Sequence, residues 1–389
     1  MSLLGQKFYR LLYDWYDINH RILPWRETTD PYYIWLSEVI LQQTRVAQGM
    51  DYYDRFVRTY PTVDMLAAAD EDEVLRLWQG LGYYSRARNL HRAARMIANQ
   101  PCMADAGIHF PATFDELRAL PGVGEYTAGA IASFAYDQPY PALDGNVYRV
   151  LARLFDCEIP FDTSSGKKHF HRLAEELLDR EHPRQFNSAI MEFGALHCLP
   201  VSPDCANCPI QQYCKAYASG TVELLPVRKP RPTLRDRWFS YTIYIYNSHW
   251  PLAVSHWPLA VSHWPLADSQ EPKAKSQKPE IYTLIHQRKA KDIWQHLYEF
   301  PLIEHATEAE WQEYRPLADS QEPKAESQKP KALPPITHIL SHQRLHARFF
   351  VVPVDELPVI PDTLTVPWQA LDDYALSRLT LKALESVSR

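Results

Sequence analysis

The sequence predicts two domains of different class, an all-α region over residues 1–225 and an α+β region over residues 238–389, joined by a linker at 226–237. Three observations carry this reading. Through the first region apolar residues recur at helical spacing, with short connections and no strand-like alternation. After the Pro-rich, basic stretch PVRKPRPTLRDR the period changes, and residues 238–246 alternate aromatic and β-branched side chains as strands do. Between them, in LRALPGVGEYTAGAI, two helical patterns meet at a two-glycine turn too short for anything but a hairpin.

Residues 6–19 form an amphipathic pattern with Phe8, Leu11, Leu12, Trp15 and Tyr16 on one side. Leu23-Pro24-Trp25-Arg26 is a turn. Asp30 then caps a helix with Pro31 at its first position, and the pattern continues through IWLSEVILQQTRV. Glu38 lies in this helix among Ile34, Trp35 and Leu41. Ionisation on so apolar a face is costly, so its pKa should rise into the range a general acid needs. An acid at the edge of a core face, bridged to Arg45 or Arg26, explains the same position.

Helices are expected at 50–60, 62–68 and 71–78. Gly80-Leu81-Gly82-Tyr83-Tyr84 is a tight turn, where Tyr83 either wedges into a base stack or packs under its own loop. No acid occurs between Val74 and Ala104, where Arg76, Arg86, Arg88, Arg92 and Arg95 gather. Arg88, Arg92 and Arg95 share helical spacing and suit either phosphates or a solvated face. In the hairpin, Gly122 and Gly124 permit positive φ, and backbone N–H groups converge on the helix that starts near Tyr126. That is an anion cradle, or simply a helix–helix turn. Asp144-Gly145-Asn146 opens the next helix, and the N–H groups and helix dipole there should keep Asp144 ionised. Plain capping is compatible with a chemical role. Further helices are expected at 167–179 and 183–197.

Six cysteines are present. Cys102 and Cys157 stand alone and read as core residues. Cys198, Cys205, Cys208 and Cys214 are spaced C-x6-C-x2-C-x5-C, a density that points to metal rather than disulfides in a reducing compartment. Thiolate chemistry alone leaves zinc and an iron–sulfur cluster open.

In the second region, strands are expected at 238–246, 280–287, 337–340 and 347–352, and a helix closes the segment 368–386. Two low-complexity inserts, 248–279 and 315–334, interrupt it. The first repeats SHWPLAV, and PLADSQEPKA occurs in both. A seven-residue unit with a regular Pro builds neither coiled coil nor solenoid, so both inserts read as flexible loops without catalytic role. A net charge of −6 argues against a broad polyanion-binding surface and confines nucleic-acid contacts to local patches. No signal peptide or membrane span is read, which predicts a cytoplasmic protein.

LPGVGxYTAGAI followed by LDGNVxRVLAR resembles the helix–hairpin–helix DNA glycosylases of the endonuclease III superfamily, most closely their adenine DNA glycosylase branch. The likeness runs from about Leu11 to Tyr217 and more weakly to the C-terminus, where the chain is similar to the MutT-like (Nudix-like) domain of adenine glycosylases. It implies a [4Fe–4S] cluster on the four cysteines and a monomer, nucleoid-associated, acting on double-stranded DNA with adenine opposite 8-oxoguanine. It implies that Glu38 protonates the adenine ring, that Asp144 stabilises the sugar cation, and that Tyr126 and Asn146 support them. Trp25 and Arg26 would border the adenine pocket, with Gln43 and Tyr83 entering the duplex. Arg88, Gly122 and Gly124 would contact DNA, and Ser341 and His342 would read the lesion. Leu340 replaces the family's Phe in that last segment. Tyr126 stands where the bifunctional branch carries a nucleophilic Lys, and no Lys lies between Lys7 and Lys167. Base release without efficient strand cleavage is therefore expected. A bifunctional glycosylase/lyase and a noncatalytic iron–sulfur DNA-binding protein are the alternatives.

Overall fold

The structure is a computed structural model that describes residues 5–99, 110–230, 233–247, 280–316 and 329–387. The first insert, Cys102 and residues 317–328 of the second insert lie outside the described residues. The chain divides into two compact units, residues 1–69 with 85–231, and residues 70–84 with 232–389. A short excursion of the helical half therefore groups with the C-terminal half.

The helices in chain order are α1 (Gln6–Asn19), α2 (Pro31–Leu41), α3 (Val46–Thr59), α4 (Val63–Ala68), α5 (Glu71–Leu77), α6 (Ser85–Ala98), α7 (Phe114–Ala119), α8 (Glu125–Tyr136), α9 (Gly145–Phe155), α10 (Ser164–Leu177), α11 (Pro183–Leu196) and α12 (Lys215–Ser219). All but α5 belong to the first unit. Their starts follow local cap chemistry. Asp30 accepts the Tyr32 N–H at 2.8 Å ahead of Pro31. Thr113 and Glu116 form a reciprocal capping box on α7. Phe8, Leu12, Leu151, Phe170, Leu177, Ala189 and Phe193 are buried together where α1, α9, α10 and α11 meet. The α9–α11 crossing is close: a Cβ on Gly194 would sit 2.8 Å from Asn146 Cβ, so the glycine sets how near Asn146 lies to α11. Cys157 is buried in this core.

Two sequence expectations change here. The helix carrying Glu38 was expected to run through Val46, but it ends at Leu41, and Gln43 takes φ +58 before α3 begins. In the hairpin only Gly122 needs a glycine conformation, at φ +79 with Asn89 Cβ 2.8 Å from where a Cβ would lie. Gly124 is extended (φ −93, ψ −178) and is the N-cap of α8, because the turn is completed one residue earlier.

The second unit holds an eight-stranded mixed sheet: β1 (Arg235–Asn247), β2 (Ile281–Gln287), β3 (Tyr298–Glu299), β4 (Leu302–His305), β5 (Lys331–Ala332), β6 (Ile336–Ile339), β7 (Gln343–Val354) and β8 (Thr363–Pro367). β1 and β7 run parallel at its centre, from Arg235 opposite Gln343 to Tyr246 opposite Val354. Antiparallel partners flank them, β2 and β4 on β1, β5 and β6 on β7, and β3 and β8 on β2. Alternate residues Phe239, Tyr241 and Ile243 pack with Leu345, Ala347 and Phe349 against Leu376 and Leu379, the latter on α14 (Arg378–Val387). A further helix, α13 (Glu308–Glu313), buries Trp311, whose indole N–H donates to the Phe239 carbonyl at 2.9 Å. The second insert is not loop throughout: Lys331 and Ala332 pair with Val351 and Phe350, because β7 extends far enough to offer its edge to them. No helix among the described residues is long and apolar enough to cross a membrane.

Candidate active site

The site is a pocket of about 750 Å³ in the first unit, at the ends of α2, α8 and α9 and along α11. Glu38, Asp144, Tyr126, Asn146, Trp25, Arg26 and Gln43 all line it. Sequence reasoning named each of them from separate stretches, and the helix crossings bring them to one cavity.

Glu38 is buried on the inner side of α2. It accepts a hydrogen bond from the Tyr126 hydroxyl at 2.8 Å and faces the Arg26 guanidinium at 3.4 Å. Glu38 is thus an ion-paired acid on a core face, and the same carboxylate opens on the pocket. Arg26 itself lies over the Phe134 ring at 3.7 Å, and its Nη1 is buried without a hydrogen-bond partner. Trp25 is buried edge-on against Tyr53. Burial, and after it the charges of Glu38 and Asp144, holds the Tyr126 hydroxyl well above the ordinary phenol range, so it stays a donor.

Asp144 is the N-cap of α9. It accepts from the backbone N–H of Asn146 at 2.9 Å and of Val147 at 2.8 Å, and from the Asn146 side-chain amide at 2.8 Å. The expected cap geometry is present, and its donors lower the Asp144 pKa as expected, but they do not decide its net direction. Burial is the largest influence, and with the Glu38 charge it leaves the Asp144 pKa raised despite the three donors that lower it. The cap alone therefore does not set the Asp144 carboxyl, as the sequence suggested it would.

The remaining predicted residues lie elsewhere. Gly122 and Gly124 form the α7–α8 turn, and Arg88 is half-buried on α6. Arg86, counted in the basic stretch, is buried and donates to backbone carbonyls at the end of α2, so it faces no phosphate. Arg95 donates to the carbonyls of Ala67 and Ala69. In the second unit Tyr83 is exposed at φ +48, and its hydroxyl is hydrogen-bonded to that of Ser341. Ser341 and His342 are exposed in the turn between β6 and β7, while Leu340 packs partly into the core.

One pocket acid and two arginines beside the cysteine loop escaped the sequence. Glu192, buried on α11, is held by the Arg21 guanidinium at 2.9 and 2.5 Å. The signal was available: an acid between Met191 and Phe193 breaks an apolar run as Glu38 does. Arg149 and Arg153, both buried on α9, turn instead to the cysteine loop. Arg149 Nε donates to the Cys198 carbonyl at 2.7 Å, and Arg153 Nη1 reaches Cys198 Sγ at 3.3 Å.

Cys198, Cys205, Cys208 and Cys214 are free and line one cavity of about 30 Å³. Burial pushes the Cys208 thiol up to about 12. Among the described residues no group of three or more His, Cys, Asp or Glu is arranged to hold a metal ion. Four unpaired thiols on one wall beside the Arg153 cation are nevertheless a donor set that fits a thiolate-bound centre.

Comparison with known proteins follows these divisions. Residues 36–179 match the HhH-GPD superfamily of base excision DNA repair proteins, and residues 277–386 match the NUDIX domain. The chain is similar to adenine DNA glycosylase of Rattus norvegicus, 44% identical over 231 residues, covering 56% of this chain and 44% of the relative. It is similar to adenine DNA glycosylase of Buchnera aphidicola subsp. Baizongia pistaciae (strain Bp), 35% identical over 246 residues, covering 61% of this chain and 68% of the relative. The chain thus spans less than half the length of the rat relative. Among solved structures, a thermostable thymine-DNA glycosylase aligns with a TM-score of 0.49 at 28% identity, covering 55% of this chain and 98% of that chain.

Proposed function

From its place in the adenine DNA glycosylase family, to which this chain belongs, we propose that it hydrolyses the N-glycosidic bond of adenine opposite 8-oxoguanine, or opposite G, in duplex DNA. The observation that carries this reading is one pocket walled by both Glu38 and Asp144, each with its own supporting donor, Tyr126 and Asn146.

The chemistry asks for a base rotated out of the stack and an oxocarbenium-like sugar. Glu38, in its protonated form, gives a proton to the departing adenine. The C–N bond breaks with its electron pair staying on the base, and water adds to the sugar carbon while passing a proton to the Glu38 carboxylate just left ionised. Free adenine and an abasic sugar result. Asp144, ionised, stabilises the sugar cation. Tyr126 and Asn146 fix the two carboxylates, and Arg26 lies against Glu38. No Lys stands at position 126, so the reaction ends at base release.

The four cysteines would hold a [4Fe–4S] cluster, a fixed point for the loop 198–214, and no hydrolytic step passes through it. Ser341, His342 and Tyr83 would read the opposing lesion. The hydrogen bond between the Tyr83 and Ser341 hydroxyls supports treating them as one surface.

Single-turnover release measured on A·8-oxoguanine, A·G and A·T duplexes tests the reading. Release from the first two and not from A·T is expected, with no covalent band on borohydride trapping. Absence of adenine release, or a strong trapped band, sinks the proposal.

A further inference from the structure

The helix that carries Glu38 stops at Leu41 without a glycine behind it. Helix ends leave carbonyls unpaired, and glycine in the left-handed region is the usual remedy. Here the left-handed position is Gln43, at φ +58, a conformation that costs a residue with a Cβ about 1 kcal/mol or more. The Leu41 carbonyl takes the Thr44 N–H at 3.1 Å. The others are taken by a side chain from far along the chain. Arg86 Nη1 donates to the carbonyls of Val39 at 3.1 Å, Ile40 at 3.0 Å and Gln42, and Nη2 donates to the Thr44 hydroxyl at 3.4 Å. Arg86 is 8% exposed, so these bonds are made away from water and a positive charge meets the negative end of the α2 dipole. Gln42 is tied in turn to Thr127 of α8 at 3.2 Å. Gln42, Gln43 and Thr44 all line the pocket.

We propose that Arg86 is a positioning residue. It ends the Glu38 helix and holds residues 42–44 in the strained turn that presents the exposed Gln43 side chain at the pocket rim, toward the DNA. The assignment rests on the proposed glycosylase reading for what the rim meets, and on the geometry alone for what Arg86 does. A guanidinium is suited to it because one planar group reaches several carbonyls and a hydroxyl around a turn, where a lysine ammonium is a compact point donor on a flexible stem.

The test uses the full chain and a double-mutant cycle between positions 86 and 43, read as affinity for a duplex containing an adenine that the enzyme cannot release. Arg86→Lys should weaken binding about tenfold in the Gln43 background and less than about twofold in the Gln43→Ala background, since the rim then has no side chain to present. Gln43→Gly in the Arg86→Lys protein should raise its thermal midpoint above that of the Gln43→Ala counterpart, because glycine occupies the turn without strain. In the wild-type chain, amides 42–44 should exchange more slowly than those of an exposed turn, a measurement that holds even where the Lys variant unfolds. An equal loss of affinity in both Gln43 backgrounds, or fast exchange at 42–44, overturns the assignment. Loss of adenine release in the wild type would overturn the glycosylase reading and leave the cycle on duplex affinity still readable.

Discussion

Asp144→Asn separates chemistry from stability at one atom. In the wild type Oδ1 accepts the Asn146 and Val147 N–H groups and Oδ2 accepts the Asn146 amide. Asparagine caps helices about as well as aspartate, so its oxygen keeps both backbone donors. Its NH2 then faces the Asn146 amide, which cannot turn without giving up its bond from Arg149 Nη2 at 3.0 Å. Against that local loss stands a gain. The folded Asp144 pKa is raised, so its ionised form is penalised in the fold. That group's contribution to stability is full below the unfolded aspartate pKa and is lost as pH rises through the raised folded value. At neutral pH the wild type carries this cost and the Asn variant does not. The two effects oppose, and the folding free energy should change by no more than about 1 kcal/mol, moving in favour of the variant as pH rises from acid to neutral. The chemical loss is larger. A unit anion about 4 Å from a sugar cation at an effective dielectric of about 20 contributes about 4 kcal/mol, or roughly a thousandfold in rate. Single-turnover release from an A·8-oxoguanine duplex, alongside thermal unfolding followed by circular dichroism at several pH values, measures both. Release within tenfold of wild type refutes the anion role. An intact rate deficit accompanied by a loss of about 3 kcal/mol or more in stability refutes the capping argument, because the site would then be failing through the fold.

Other substitutions probe the same frame. Glu38→Gln keeps an acceptor for the Tyr126 hydroxyl but cannot deliver a proton, so release should fall by about 10²–10⁴ with duplex binding retained. Tyr126→Phe removes only the 2.8 Å bond to Glu38 and should slow release about tenfold, seen in the same single-turnover assay, with the thermal midpoint little changed. Gly122→Ala forces a Cβ into φ +79 and against Asn89 Cβ at 2.8 Å, and should cost about 2 kcal/mol or more in denaturant unfolding. Gly124→Ala meets nothing within 4 Å at an extended φ and should cost under about 1 kcal/mol, its loss being that of a weaker N-cap. Because the Asp144 pKa is raised, release should decline on the acid side at a higher pH than an exposed aspartate would give, and Asp144→Asn should lack that limb.

What was legible in the sequence was chemistry that acts within a few residues. Asp30-Pro31 and Asp144-Gly-Asn each declare a helix start through their own side chains, and the structure has helices at both. The central strand β1 announces itself by alternation, and residues 347–352 mark the middle of β7. What was not legible depends on partners far along the chain. The two-residue strand β3 and the short β4 and β8 exist because β1 and β2 offer edges to pair with, and neither their composition nor their length signals it. The helix α13 forms around a tryptophan whose indole bonds to β1.

The same division runs through the pocket itself. The sequence could propose Glu38 and Asp144 because an acid in an apolar run and an acid at a cap are local anomalies. It could not give the sign of the Asp144 shift, since that sign is decided by a contest between three nearby donors and the amount of protein covering them, and only the first is written nearby. Nor could it end α2 at Leu41. LQQTR continues the helical pattern with good helix formers, and what stops it is a guanidinium more than forty positions later that competes for the carbonyls. Local preference and tertiary demand disagree at Gln43, and tertiary demand prevails there, at the rim of the pocket. Elsewhere in this unit, as at Asp30 and Thr113, the two agree. Disagreement at a functional rim and agreement in the scaffold is the pattern expected when a site is held in a conformation its own segment would not choose.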